Sequence, residues 1–99
     1  MKLSKGYWVV NYRKLNDPVR REKYAELGVP AVVAAGGRVL VREIADEVRE
    51  QGLKERTVII EFSTYEEALA AYDSDAYKQA LDVLGDAAER DLRIVRGFE

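Results

Sequence analysis

RTVIIEFSTYEEALAAY, residues 56–72, reads as a strand, a cap and a helix in one unbroken run. Residues 57–62, TVIIEF, are dense in β-branched and aromatic side chains, which suit a pleated, half-buried surface. Alternation sends Val58, Ile60 and Phe62 to one face and Thr57, Ile59 and Glu61 to the other. Ser63 and Thr64 each precede a glutamate by three residues, Glu66 and Glu67, the spacing of a capping box. Those glutamates also suit the positive end of the helix dipole. Tyr65, Ala68, Leu69 and Tyr72 then recur at helical spacing and predict a stripe facing the sheet.

Upstream, residues 5–15 predict a strand with Trp8, Val10 and Tyr12 on one face and Tyr7, Val9, Asn11 and Arg13 on the other. Asp17 caps the helix that follows, and Pro18 suits its first position, where no N–H is needed. Gly28 and Pro30 predict a kink or break near Val29. An apolar helical segment continues over 31–35 and stops at Gly36-Gly37. Residues 38–44 form a second strand, and the charged 45–55 stretch a solvated connection with a turn at Gly52. Downstream, Ser74 caps a second helical run, in which Tyr77, Ala80, Leu81 and Leu84 keep the i, i+3, i+4, i+7 pattern. Gly85 stands near its end, and residues 91–97 form the last strand. The order is βαββαβ: an α+β, ferredoxin-like plan, with helices on one face of a four-stranded antiparallel sheet, in one domain over 1–99.

Composition narrows the chemistry. The 99 residues include 16 basic and 18 acidic side chains, for a formal charge of −2. That balance offers no electrostatic reason to bind nucleic acid or an anionic membrane. The chain has no cysteine and no histidine. Disulfides, thiolate nucleophiles and zinc–thiolate sites are therefore excluded, as are the commonest general base and the commonest metal ligand. No metal or other cofactor is expected. The amino-terminal residues hold no apolar run long enough for a signal segment or a membrane span, so a soluble, cytoplasmic protein is expected.

The candidate site is a polar cluster on the sheet face away from the helices. Arg38 and Arg42 stand four residues apart on one strand, which places them on one face by simple alternation. Asn11 and Glu61 face the same way in the assumed strand order, and Trp8 stands near the mouth of the first strand. Two arginines and a carboxylate suit a small anionic or carbonyl compound. The same residues also suit an ion-pair network that fixes strand register or a dimer interface. Tyr24, Tyr65, Tyr72 and Tyr77 lie on helical stripes and read first as core; Tyr72 joins Trp8, Asn11, Arg38, Arg42 and Glu61 as a candidate ligand contact. The glutamates of 43–55 read as a solvated face, and Gly36-Gly37 lacks the spacing of a phosphate loop. Both sheet faces carry apolar groups: Trp8, Val10, Val58, Ile60 and Phe62 on one, Tyr7, Val9 and Ile59 on the other. Strand two divides Leu40 from Val39 and Val41, and strand four Ile94 from Val95. A homodimer packed through the uncovered face is expected.

The run GYW at 6–8, DP at 17–18, GGRVLVR at 36–42, the 56–72 stretch and SDAY at 74–77 together resemble a bacterial family of small uncharacterised proteins in the dimeric α/β-barrel superfamily. The resemblance spans nearly the whole chain, and the EFSTYxxAxxxY run is its most specific part. Relatives often carry Arg-Gly-Gly where this chain has Arg42-Glu43-Ile44, and Trp-Tyr where it has Ala71-Tyr72. The resemblance implies a homodimer and no defined reaction. Some cofactor-independent oxygenases of that superfamily hold an aromatic substrate with asparagine, tryptophan and arginine, residue types found here in Asn11, Trp8 and Arg38. Three functions therefore compete: a homodimeric small-molecule-binding domain, a cofactor-independent oxygenase or isomerase acting on a small aromatic or carbonyl compound, and a structural or protein-interaction module.

Overall fold

The computed structural model describes residues 4–98. The elements are β1 (Gly6–Leu15), α1 (Pro18–Ala34), β2 (Arg38–Ile44), β3 (Arg56–Phe62), α2 (Tyr65–Tyr72), α3 (Asp75–Leu84) and β4 (Ala88–Arg96). The strands form one sheet in the order β2-β3-β1-β4, and every neighbouring pair is antiparallel. The expected ferredoxin-like plan is present, with its second helical segment divided into α2 and α3.

Each helix starts where a side-chain oxygen accepts an otherwise unpaired backbone N–H. Asp17 accepts from Arg20 N–H, Thr64 from Glu67 N–H and Ser74 from Tyr77 N–H. Thr64 rather than Ser63 is therefore the cap of α2. The helix is followed at once by Ser74, whose hydroxyl also donates to the Ala71 carbonyl at 2.8 Å. The predicted break near Val29 is absent: α1 runs unbroken through Pro30. Proline removes one N–H and crowds the carbonyl four residues back. Here Pro30 and Glu26 are both exposed, so that carbonyl stands toward solvent and the helix tolerates the loss. Residues 45–55 form turns, with Gly52 N–H donating to Arg49 O and Ala45 N–H donating to Glu55 O.

One face of the sheet carries the core. Trp8, Val10 and Tyr12 of β1 and Ile60 and Phe62 of β3 are buried beneath Ala31, Val32, Ala68, Ala71, Tyr77 and Ala80 of the helices. Tyr7, Val9, Asn11, Ile59 and Glu61 alternate with them and face away. The molecule measures 44 × 35 × 16 Å, one sheet and one helical layer thick, so no element among the described residues covers that second face.

Strand β2 departs from simple alternation. Arg38 pairs with Glu61 and Val39 with Ile60, but beyond an irregularity at Leu40 it is Val41 that pairs with Ile59 and Arg42 with Val58. An extra residue in one strand reverses the facing of everything after it. Arg42 therefore turns to the helix-covered face while Arg38 stays on the open one. The sequence-based placement of both arginines on one face is corrected by this bulge. Val39 and Val41, expected on the same face, are separated in the same way.

At Gly6 the start of β1 passes against the start of α2. A Cβ built there would lie 2.6 Å from Tyr65 Cα and 2.8 Å from both Ala68 Cβ and Thr64 O. Two of these are backbone atoms and cannot rotate away. Gly6→Ala is expected to destabilise the fold by about 1–3 kcal/mol, the usual cost of overpacking, measured by urea unfolding.

Candidate functional site

Two faces of one sheet divide the candidate residues. On the open face, Glu61 accepts from the Tyr7 hydroxyl at 2.9 Å and pairs with Lys5 at 3.7 Å. The Glu61 carboxylate holds the Tyr7 hydroxyl above its ordinary pKa, first through that hydrogen bond. Arg38 opposes Glu61 across β2 and β3, yet it makes no hydrogen bond or ion pair among the described residues. The expected Arg38–Glu61 contact is not formed; Tyr7 and Lys5 both meet Glu61 Oε2 instead. Asn11 accepts from the Thr57 hydroxyl at 3.0 Å. Beyond it, Asp91 accepts from Arg93 at 3.0 and 3.1 Å and from Arg13 at 3.5 Å.

Trp8 belongs to the other side. It is 1% exposed, and its indole N–H donates to the Ala68 carbonyl at 2.8 Å. Tyr72 meets its edge at 5.7 Å between ring centroids, Tyr77 at 5.0 Å and Phe62 at 5.6 Å. The asparagine–tryptophan–arginine arrangement is therefore not formed: Asn11 and Arg38 lie on one face of the sheet and Trp8 on the other. Arg42 joins the tryptophan's side. The six candidates do not converge.

What does converge is a cleft of about 40 Å³ between α1 and the sheet. Its walls include Trp8, Tyr12, Arg21, Tyr24, Arg42, Tyr77 and Arg90, over a floor of Val10, Val58 and Ile60. At its heart the Tyr24 and Tyr77 hydroxyls are 2.6 Å apart. Arg90 donates to Tyr24 at 3.0 Å and to Tyr77 at 3.4 Å, and its guanidinium lies 5.1 Å above the Tyr24 ring. Burial, with the neighbouring Tyr77, pushes the Tyr24 hydroxyl well above its usual pKa.

Of these wall residues, Arg21 and Arg90 are not among the candidates that the sequence singles out, and the helical spacing of Tyr24 and Tyr77 reads as core. A signal existed for Arg90. It precedes Leu92 and Ile94 at spacing two, so alternation turns a cation toward the core of β4. Starting the last strand at residue 91 hid it. Arg21 carries no comparable signal, since one arginine among several on a helix reads as solvated.

Among the described residues no group of three or more acidic side chains is arranged to hold a metal ion. Among the same residues no helix is long and apolar enough to cross a membrane.

The Arg93 guanidinium holds the Asp91 carboxyl below the usual carboxylate range, chiefly through its hydrogen bond. A native pKa lowered in this way contributes stability that is present above the unfolded value. That contribution is lost as pH falls through the native value. Asp91→Asn is therefore expected to flatten the decline of stability below about pH 4 and to have little effect on its shape near neutrality, read from unfolding midpoints across pH.

Comparison with solved structures places the fold among ferredoxin-like proteins. The RPA0582 protein of unknown function from Rhodopseudomonas palustris superposes with a TM-score of 0.71 at 13% identity, covering 99% of this chain and 85% of its own. SnoaB, a cofactor-independent oxygenase from Streptomyces nogalater, gives 0.66 at 10% identity over 97% of this chain and 95% of its own. A dimeric protein of unknown function and ferredoxin-like fold from Bacteroides fragilis gives 0.59 at 14% identity over 94% and 96%. At such identities the likeness is one of fold alone. No curated protein matches the chain. The family described as a domain of unknown function, DUF1330, matches residues 5–98, and the chain belongs to that family.

Proposed function

We propose that the protein is a homodimeric small-molecule-binding domain whose ligand enters the cleft between α1 and the sheet. The observation that carries this reading is the cleft wall itself. It joins aromatic and aliphatic surface to a few convergent polar groups, Tyr24, Tyr77, Arg42 and Arg90, the usual make-up of a ligand site. The space is small, so anything beyond a few atoms extends toward the open mouth or lifts α1. Small residues on the inner side of that helix, Ala25 and Gly28, keep it close without interlocking it.

The dimer reading rests on the open sheet face. Leu40, Val41 and Val95 are 43%, 39% and 41% exposed there, beside half-buried Tyr7, Val9 and Ile59. The polar groups among them are mostly paired within the chain: Tyr7 with Glu61, Asn11 with Thr57, Asp91 with Arg13 and Arg93. Paired groups can be covered by a second copy without leaving orphaned donors. A protein of similar fold is described as dimeric, which favours a dimer here as well. The oxygenase alternative gains no catalytic constellation, because Asn11 and Arg38 do not meet Trp8.

The single tryptophan supplies one indole N–H signal, a clean reporter of the cleft. Titration with a small neutral aromatic such as benzamide is expected to shift that signal saturably while the Val95 amide on β4 stays put; no shift with any of a panel of such probes sinks the cleft reading. Sedimentation at micromolar concentration is expected to give a dimer. A concentration-independent monomer contradicts the sheet-face interface.

A further inference from the structure

The chain is acidic overall, yet one end of the cleft gathers cations. Arg42 reaches the helix-covered face through the bulge in β2 and lines the cleft with Arg21 of α1. Arg56 stands two residues before Val58 on β3, so alternation turns it to the same face. Burial, then the charges of Arg21 and Arg42, hold Arg56 below the ordinary arginine value, with the Glu22 carboxylate opposing them. Arg21 and Arg90 approach the Tyr12 ring at 5.5 and 5.8 Å.

Arg90 spends its donors on Tyr24 and Tyr77. Arg21 and Arg56 do not. Arg21 Nε and Arg56 Nε and Nη1 are shut from solvent and meet no hydrogen-bond acceptor among the described residues. Glu22 stands 3.4 Å from Arg21 Nε as an ion-pair partner, but its carboxylate is 58% exposed and the pair lacks hydrogen-bond geometry. Buried donors in folded proteins are nearly always paired, and an unpaired charged donor is the costliest kind.

The tyrosines add to the imbalance. Each hydroxyl oxygen accepts from Arg90, and the bond between the two uses one of their two protons. The other proton has no acceptor among the described residues. The buried groups left without an acceptor in and beside this wall are thus all donors: three guanidinium nitrogens and one tyrosine O–H.

We infer that this end of the cleft binds an oxyanion head group, a carboxylate or a phosphate, against Arg21 and Arg42, with Arg56 on the adjoining end of β3 adding positive charge from behind the cleft wall. The assignment rests on the small-molecule reading of the cleft and specifies the charge its ligand carries. Planar guanidiniums match both oxyanions. A space of about 40 Å³ admits a head group of that size, with the rest of the ligand directed to the mouth, where Arg42 is exposed.

The test compares thermal unfolding of the full chain with that of Arg56→Gln and Arg21→Gln in chloride, acetate and phosphate at equal ionic strength and neutral pH. Acetate or phosphate is expected to raise the wild-type midpoint by at least a few degrees over chloride, and to raise the variants' midpoints less. Whichever anion acts names the chemistry of the head group. In chloride, Arg56→Gln is expected to unfold no lower than wild type, because it relieves a like-charge cluster. Equal increments in wild type and variants overturn the proposal. So does a lower midpoint of Arg56→Gln in chloride with no anion-specific gain in wild type, the result for an arginine that only braces the fold. If benzamide shifts the Trp8 indole signal while neither anion discriminates wild type from variant, the anion site falls and the cleft reading stands.

Discussion

The hydrogen bond from the Trp8 indole to the Ala68 carbonyl ties the first part of β1 to α2, and much of the molecule is arranged around it. The ring fills the space between sheet and helices and meets Phe62, Tyr72 and Tyr77 edge-on or tilted. Truncating a buried ring of this kind costs about 3–5 kcal/mol, a large share of the stability of a small domain. Its orientation also has a functional consequence. With the indole on the helical side, the cleft opens beside Tyr77, and the opposite face is left uncovered by any described element.

Most of the fold was legible because it rests on local signals. The 56–72 stretch states its strand, its cap and its helix in consecutive residues, and Thr64 closes on Glu67 N–H as the capping spacing requires. Asp17 and Ser74 behave alike. The candidate site was far less legible, because it depends on one irregular residue. Alternation across residues 38–44 contains nothing that marks Leu40 as an extra residue. Only the pairing of Val39 with Ile60 and Val41 with Ile59 reveals it. That single insertion carries Arg42 through the sheet, away from Arg38 and Glu61 and toward Arg21 and Tyr24. Pro30 misled in the opposite sense: its lost hydrogen bond faces solvent, so a strong local breaker left the helix intact.

Charge distribution separates the two faces as sharply as packing does. On the open face cations and carboxylates largely satisfy one another, as Lys5 with Glu61 and Arg13 and Arg93 with Asp91. Beneath α1 the arginines outnumber the acceptors, and the tyrosines contribute donors of their own. Net charge, which is −2 for the chain, conceals this polarity entirely. A balanced face can be buried against a like copy, whereas an unbalanced cleft calls for a ligand of opposite sign.

We propose a division of labour, in which the open face meets a second copy and the helix-covered face holds the ligand. Hydroxyl-radical footprinting across a range of protein concentrations tests it most directly. Tyr7 and Val95 on the open face should lose reactivity as concentration rises, while Val19 and Leu27 on the outer side of α1 keep theirs. Protection of Val19 and Leu27 with Tyr7 and Val95 unchanged would place the interface on the helices and contradict the account.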